Sequence, residues 1–309
     1  MSRTASAKDG KTIDLGRGAL NADPELLALL DQEFVFARGR QLSLAERMPE
    51  LFHEGSPVTV HLARVEGAVG AAATVRRFRW TTPQREWQGA MVGLVYTRLE
   101  QRGQGLASKV MRALQDDLGR AGVDFGVLWT TIPAFYERLG WRAGDRGVFG
   151  EALPRTGRNP VPGVGARPLL AGDIAVLEAI RRRWLPERVE RTPLSYRSVP
   201  LPAFSVDLFY FDGDASTEAY ALVGRAGQTG YVYEVVGPQP MQQRLWSAIV
   251  GSYEKTYVND CASSPLSDWL ERQGLARFQR QNLAMWLPVS RAGAGVEPGA
   301  WHIPFFDRI

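Results

Sequence analysis

The sequence has few of the residues that build metal centres and covalent cross-links. Among its 309 residues there is one cysteine, Cys261, and there are three histidines, His53, His61 and His302, far apart in the chain. A single thiol cannot form an intramolecular disulfide, which suits a reducing compartment, and it excludes a site with several thiolates. The histidines show neither an HExxH motif nor any paired spacing, so the sequence predicts no metal site.

The sequence also lacks the marks of a membrane, secreted or nucleic-acid-binding protein. No apolar run approaches the length of a membrane-spanning helix, and the first residues, MSRTASAKDGKT, have no apolar core of a signal peptide. The net charge is only +4, and the arginines are scattered apart from short clusters at 76–79 and 181–183. We therefore expect a cytoplasmic protein with no membrane contact, and nucleic-acid binding through these clusters is only a weak alternative. With 45% apolar residues, the chain is long enough for two domains.

Neither a GxxxxGK[ST] phosphate loop nor a GxGxxG dinucleotide motif is present, yet one stretch is suited to holding an anion. In residues 91–97 apolar side chains occupy both faces of a predicted strand, as expected for a strand that is buried on two sides. A turn with two glycines follows. From Leu106 onward, apolar residues recur with helical spacing. The stretch therefore predicts a strand, a tight turn and a helix.

The predicted turn presents backbone N–H groups at the start of the helix. Gly103 and Gly105 let a ligand come close to the backbone, and the first N–H groups of a helix have no intrahelical partner. These groups and the helix dipole favour phosphate oxygens, and Arg102 adds a positive charge at the rim. The alternative interpretation is an ordinary strand-to-helix turn with a solvated arginine.

A longer pattern surrounds this turn. The sequence RGQGLA at 102–107 is followed by an amphipathic helix, a further predicted strand and the sequence FYERLGW at 135–141. Over residues 91–142 this order resembles the GCN5-related N-acetyltransferases (GNAT). Two positions depart from the family pattern. Glu100 stands where glutamine or arginine is favoured, and the asparagine often found after the fifth strand is replaced around Trp129.

The resemblance implies acetyl-CoA as co-substrate and assigns roles to individual residues. In the family, the main chain of strand four pairs with the pantetheine arm, the turn binds the pyrophosphate, and the tyrosine of the last motif gives a proton to the departing thiolate. Packing of this tyrosine beside Phe135, with its hydroxyl on a backbone carbonyl, is the alternative. The implied residues are Tyr136 for catalysis and Val95, Tyr96, Thr97, Arg102, Gly103, Gln104, Gly105, Leu106 and Ala107 for the cofactor.

The element order indicates an α+β fold with two similar domains in tandem. For residues 1–153 the resemblance implies a catalytic domain with a mixed, mostly antiparallel sheet flanked by helices, the acyl-CoA N-acyltransferase fold. Proline and glycine at 154–166 predict a linker. Residues 167–309 repeat the element order, but GPQPMQ at 237–242 replaces the RGQGLA turn. Its two prolines remove backbone donors, so we expect a degenerate second domain that binds no CoA.

Helix start signals precede the first sheet. They are Asp23 before Pro24, and Ser43 with Glu46 in a capping-box pattern that predicts one helix to about Phe52. In the family this helical pair lies over the acceptor pocket, so acidic side chains there could meet a cationic amine. For each of them, a solvated helix face is the alternative. These acidic residues are Asp31, Glu33 and Glu54.

The last residues, WHIPFFDRI at 301–309, form an apolar segment that predicts burial against a domain. A second interpretation follows from the enhanced intracellular survival aminoglycoside acetyltransferases, tandem members of the family whose terminal carboxylate reaches the active site as base. Ile309 would supply that carboxylate here. Those proteins have a further sterol-carrier-like domain that this sequence does not show, so burial alone is favoured.

These observations predict an N-acetyltransferase that moves an acetyl group from acetyl-CoA to a primary amine by direct attack. The base would be water relayed through Glu33 or a carboxylate of the tail. A non-catalytic acyl-CoA sensor or scaffold is the alternative. The acceptor, a small molecule or a peptide, is not named by the sequence, because its pocket is built by residues 20–57 and the second domain. A homo-oligomer remains open.

Overall fold

The structure, a computed structural model, describes residues 3–6, 12–153 and 160–309. The start of the predicted linker thus lies outside the described residues. The strands are β1 (Arg3–Ser6), β2 (Thr12–Ala19), β3 (Val58–Val65), β4 (Ala68–Thr81), β5 (Glu86–Thr97), β6 (Phe125–Trp129), β7 (Arg142–Ala143), β8 (Gly147–Ala152), β9 (Val164–Pro168), β10 (Arg188–Val189), β11 (Ser205–Phe211), β12 (Tyr220–Ala226), β13 (Thr229–Val236), β14 (Lys255–Cys261), β15 (Ala276–Arg280) and β16 (Ala284–Pro288). The helices are α1 (Pro24–Phe34), α2 (Leu44–Arg47), α3 (Pro49–Phe52), α4 (Leu106–Arg120), α5 (Pro133–Glu137), α6 (Ile174–Trp184), α7 (Gln239–Ser252) and α8 (Pro265–Arg272).

Two sheets organise these elements. The first has the order β1-β2-β3-β4-β5-β6-β16-β7, with β10 paired to β4, and the second has the order β15-β8-β14-β13-β12-β11-β9. Each sheet has a single parallel pair, β5 with β6 and β13 with β14, and its other pairs are antiparallel. The predicted α+β class with mixed, mostly antiparallel sheets and flanking helices is confirmed.

The two sheets exchange a strand. β8 lies within residues 1–153, which were expected to form the first domain, but it pairs with β14 and β15 in the second sheet. In return β16, near the end of the chain, lies between β6 and β7 in the first sheet. Each sheet therefore contains residues from both of the predicted domains.

The cores lie on both faces of each sheet. On one face of the first sheet α4 buries the residues whose spacing predicted a helix, among them Val110, Met111 and Leu114. On the opposite face α1 and α3 cover β3 and β4, with Leu26, Leu30 and others buried there. In the second sheet α7 and α8 pack on one face, and α6 and the end of the chain pack on the other.

Local signals set the helix starts. The Asp23 side chain accepts a hydrogen bond from the Leu26 N–H at 3.1 Å, and Ser43 with Glu46 forms the expected capping box. The single helix predicted from Ser43 to Phe52 is two short helices, because Pro49 starts a new one after Met48. Together these helices line the side of the sheet where an acceptor was expected.

Membrane-spanning helices and clusters of metal ligands are both absent from the described residues. No helix in the described parts of the chain has both the length and the apolar character that a bilayer crossing needs. Over the same residues, no group of three or more histidine, cysteine or acidic side chains is arranged to hold a metal ion.

Candidate active site

A cleft of about 790 Å³ opens between the end of β5, the start of α4 and α5. Tyr96 does not line it, since its side chain is buried with α1 on the opposite face of the sheet. Gln104 does not line the cleft either, and its side chain donates to the Glu100 carbonyl at 3.1 Å. The other predicted residues all line the cleft: Val95, Thr97, Arg102, Gly103, Gly105, Leu106, Ala107 and Tyr136.

The turn before α4 leaves its backbone donors free. Gly103 and Gly105 have φ values of 80° and 77°, a left-handed conformation that favours glycine. A Cβ at either position would meet no atom within 4 Å, so both residues border open space. Within the described residues, no acceptor pairs with the N–H groups of residues 103–108. Several adjacent donors at a helix N-terminus form an anion-binding site.

Strands β5 and β6 separate beside this turn. They pair only between Gly89–Met91 and Phe125–Val127. Beyond Met91, β5 contains a bulge opposite β4, and within it Leu94 has a φ of 47°. Such a conformation is strained for leucine, and strained backbone of this kind is frequent at functional sites. The bulge and the missing pairing leave the end of β5 without a neighbouring strand on the side of the cleft.

Tyr136 forms one wall of the cleft. It lies on α5 and packs edge-on against Phe135 and Trp141, with ring centroids 4.8 and 6.3 Å away. Its side chain is buried, and burial raises the pKa of the phenol to about 12. Its hydroxyl has no hydrogen-bond partner among the described residues, so the alternative of a bond to a backbone carbonyl is not seen. The phenol therefore keeps its proton at neutral pH and can donate it.

Basic side chains surround the cleft. Arg102 donates from Nε to the Thr97 carbonyl at 3.1 Å and lies 3.5 Å from Glu33, with both side chains about half exposed. Such an exposed ion pair contributes little stability, so a phosphate can replace it. Sequence reasoning did not single out Gln101, Ser108, Arg112, Ile132, Phe135, Arg138 and Leu139, which also line the cleft. For Ser108 and Arg112 the signal was present, because they follow Gln104 at helical spacing.

The three acidic residues expected near the acceptor do not converge. The Asp31 carboxylate accepts the Leu44 N–H at 2.7 Å and so fixes the start of α2. Glu33 faces Arg102, and Glu54 is exposed on the loop after α3. The exposed Glu54 agrees with the solvated alternative, whereas the structural role of Asp31 was part of neither interpretation.

The sequence around the cleft matches a known domain family. Residues 24–144, from α1 to the end of β7, match the family model of the acetyltransferase (GNAT) domain. Residues 24–144 thus form a GNAT-type acetyltransferase domain. The GNAT domain therefore includes the whole cleft, from the β5 bulge to α5.

Solved structures share the fold. A conserved Enterococcus faecalis V583 protein described as a probable N-acyltransferase has a TM-score of 0.72 at 16% identity, covering 90% of this chain and 73% of its own. A GCN5-related N-acetyltransferase from Anabaena variabilis has 0.68 at 12%, covering 91% and 74%. Eis1 from Mycobacterium abscessus has 0.61 at 13%, covering 90% and 74%. No curated protein matches the chain in sequence.

The turn of the second sheet that corresponds to the GNAT phosphate turn is closed. Helix α7 begins there after Pro238, and Pro240 removes another N–H from its first turn. A Cβ at Gly237 would lie 2.3 Å from the Ala219 Cβ, whereas Gly103 and Gly105 border open space. The two turns thus differ, since the first borders open space and the second packs against Ala219.

The segment 301–309, here called the tail, packs against residues of both sheets, which confirms the burial predicted for it. Trp301 packs among aromatic rings of the first sheet, including Trp80 and Phe125 at 5.6 and 5.3 Å. The tail then reaches the β5 bulge on the face opposite Tyr136. There the main-chain oxygen of Ile309 lies 2.7 Å from the position that a Gly93 Cβ would occupy. Gly93 thus leaves room for the tail.

A buried ion network holds the tail in place. Arg191 donates to both carboxylate oxygens of Asp307 at 2.6 and 2.9 Å and to both of Glu234 at 3.0 and 2.7 Å. Burial alone would raise the pKa of Asp307, but the charge and hydrogen bonds of Arg191 bring it below the ordinary value. The guanidinium of Arg76 donates to the Asp307 carbonyl oxygen. The tail is therefore anchored from both sheets.

Proposed function

We propose that this protein is an N-acetyltransferase that moves an acetyl group from acetyl-CoA to a primary amine by direct attack. The observation that carries the proposal is the open row of backbone N–H groups at 103–108 in the same cleft as a protonated, unbonded phenol, Tyr136. The donors suit a diphosphate, and the phenol suits a leaving thiolate. The exposed arginines of the cleft add attraction for a polyanionic cofactor.

Each wall of the cleft has a role in the proposed reaction. Acetyl-CoA would supply an acetyl thioester, held by the turn at its diphosphate and by the unpaired edge of β5 at its pantetheine arm. The amine nitrogen bonds to the carbonyl carbon, the carbon–sulfur bond breaks, and Tyr136 protonates the thiolate. The amine must approach from the face opposite Tyr136, and the tail and the β5 bulge lie on that face.

For the base, the structure favours the tail over Glu33. Glu33 faces Arg102 at the mouth of the cleft, and Asp307 is bound by Arg191, whereas the main chain of Ile309 contacts the bulge at Gly93. In a chain that ends at Ile309, that main-chain group is a carboxylate. We propose that it accepts the proton of the attacking amine.

Adding one alanine after Ile309 tests this base, since it converts the carboxylate into an amide and moves the charge. We expect kcat to fall by about 10²-fold, with the KM for acetyl-CoA unchanged. Replacing Ile309 by leucine, which keeps a terminal carboxylate, serves as the control. A full rate in the extended chain would exclude Ile309 as the base.

Calorimetry with CoA and a thiol-release assay over a panel of amines test the function as a whole. An enzyme binds CoA and releases thiol from acetyl-CoA when an accepted amine is present. A sensor or scaffold binds CoA and releases none with any amine. Absence of CoA binding would refute both interpretations of the cleft.

Gly105→Ala tests the phosphate turn. The substitution places an L-residue at a φ of 77°, a conformation that costs roughly 1–2 kcal/mol, and it adds a methyl group to a residue that lines the cleft. We expect CoA binding to weaken about tenfold by calorimetry. Gly119→Ala is the matched control, because Gly119 lies near the end of α4 where a Cβ meets no atom within 4 Å. Equal affinities of the two variants would contradict the assigned site.

A further inference from the structure

A second opening lies at the edge of β4, away from the cofactor cleft. Strand β3 begins at Val58 opposite Arg76, and β10 pairs with Trp80 and Thr81. Between them β4 has no partner strand on this edge. The opening, here called the arginine gap, has a volume of about 310 Å³. Its charged lining residues are Arg76, Arg77, Arg79, Arg191, Glu50 and Glu190.

The negative charges in the arginine gap are already neutralised. Glu50 receives a hydrogen bond from Arg76 at 2.9 Å, and the pair is buried. Glu190 lies 2.8 Å from Arg188 and also accepts from the Thr81 hydroxyl at 2.8 Å. The gap therefore holds no free acidic group for a cationic ligand among its described lining residues.

The positive charges are not all neutralised. Arg77 is exposed and has no ion pair among the described residues, and Arg79 is 3.9 Å from Glu86 with both side chains more than half exposed. These two arginines alternate with Phe78 and so lie on one face of β4, about 7 Å apart. On the opposite face of β4, the side of Phe78, the Nε of Arg76, on a side chain that is 8% exposed, has no hydrogen-bond partner in the described structure. A buried, unpartnered guanidinium N–H is costly unless a ligand satisfies it.

The gap lies close to the proposed reaction centre. Arg77 pairs with Ala90 on β5, three residues before Gly93, which is about 10 Å along the strand. Arg76 and Glu50 also line a cavity of about 10 Å³ that extends to Ile309 at the bulge. The Arg76–Glu50 pair thus lies between the gap and the face from which the amine attacks.

We propose that the arginine gap binds an anionic group of the acceptor, a carboxylate or a phosphate, about 10 Å from the amine that is acetylated. This inference rests on the proposed function and specifies its substrate class. The acceptor is an elongated molecule with an amine at one end and an anion at the other. A polycationic amine does not fit such a gap, because it would meet unneutralised arginines.

Matched pairs of acceptors test the proposal in the thiol-release assay. Triglycine and its C-terminal amide differ only in the carboxylate, and 6-aminohexyl phosphate and 6-aminohexanol differ only in the phosphate. Both anionic members place the anion about 10 Å from the amine. We expect kcat/KM to be at least tenfold higher for the anionic member of at least one pair, and the pair that shows it identifies the anion. Equal values within both pairs would overturn the inference but leave the acetyltransferase function intact.

A second test of the proposal replaces Arg77 and Arg79, the two exposed arginines of the gap. In the Arg77→Gln/Arg79→Gln double variant, the ratio of kcat/KM within the discriminating pair should fall to near one. Arg85→Gln is the control, since Arg85 is an exposed arginine that stacks on Trp87 outside the gap. A ratio that falls equally in the control would show general electrostatic attraction and would overturn a specific subsite.

A binding measurement separates this inference from the function on which it rests. If no amine releases thiol, ligand-detected NMR with N-acetyltriglycine still probes the gap in the wild type and the double variant. Binding that disappears in the double variant supports an anion site and leaves only the function refuted. Binding that is equal in both, or absent from both, overturns the site.

Discussion

Replacing Tyr136 by phenylalanine is expected to lower kcat at least about 10²-fold, the range typical of a lost general acid. The ring would keep its edge-on contacts with Phe135 and Trp141, so the fold and the cleft should persist. The KM for acetyl-CoA should change little, because the phosphate turn is untouched. Steady-state kinetics in the thiol-release assay measures both quantities.

The pH profile gives an independent check on Tyr136. Burial raises the pKa of its phenol to about 12, so the proton-bearing form persists across the range in which the enzyme can be assayed. We therefore expect no loss of kcat on the alkaline side up to pH ~10. Tyr231→Phe, in the second sheet, is the control for phenol removal elsewhere. A full rate in Tyr136→Phe would remove the named acid from the mechanism.

Replacing Arg191 by methionine should destabilise the fold by about 3–5 kcal/mol, the cost of leaving buried charges without a partner. Arg191 is 0% exposed, and Asp307 and Glu234 beside it are 1% and 4% exposed. Without the guanidinium, the buried Asp307 carboxylate would lose its ion-pair partner, and Glu234 would be left with Arg181, whose Nε lies 3.7 Å away. Urea denaturation measures the change in the free energy of unfolding.

Two further variants serve as the control and the compensation test for Arg191→Met. Arg182→Met removes an arginine of α6 whose side chain is 66% exposed and should change the free energy of unfolding by no more than about 0.5 kcal/mol. Adding Asp307→Asn and Glu234→Gln to Arg191→Met should restore part of the lost stability, because the unpaired charges are gone. If Arg191→Met behaves like Arg182→Met, the network does not hold the tail.

Much of the fold could be predicted because its signals are local. The helix of α4 follows from the spacing of Val110 and Leu114, and the helix starts follow from Asp23 and Ser43. The division between α2 and α3 also has a local cause, because Pro49 begins a new helix after Met48. The strand exchange could not be predicted in this way. A short, uniformly apolar segment such as β16 fits either sheet equally well, and its partner β6 lies far away in the sequence.

The candidate site likewise has features that the sequence predicts and features that it does not. The phosphate turn is contiguous in sequence, so its glycines and free donors could be inferred before any coordinates. The tail network joins Arg191 to Asp307 across 116 residues, and charged residues are ordinarily expected at the surface. The arginine gap likewise depends on where β3 begins and where β10 returns. Neither feature has a sequence motif.

The strand exchange has a consequence for how the chain can be divided. A proteolytic cut between β8 and β9 would not release two independent pieces, because each piece has given a strand to the sheet of the other. The nicked chains should remain interlocked. Either half produced alone would lack one strand of its sheet and would expose the unpaired edge of β6 or β14. Exposed strand edges are a recognised route to aggregation. The smallest unit that folds is therefore expected to contain both sheets.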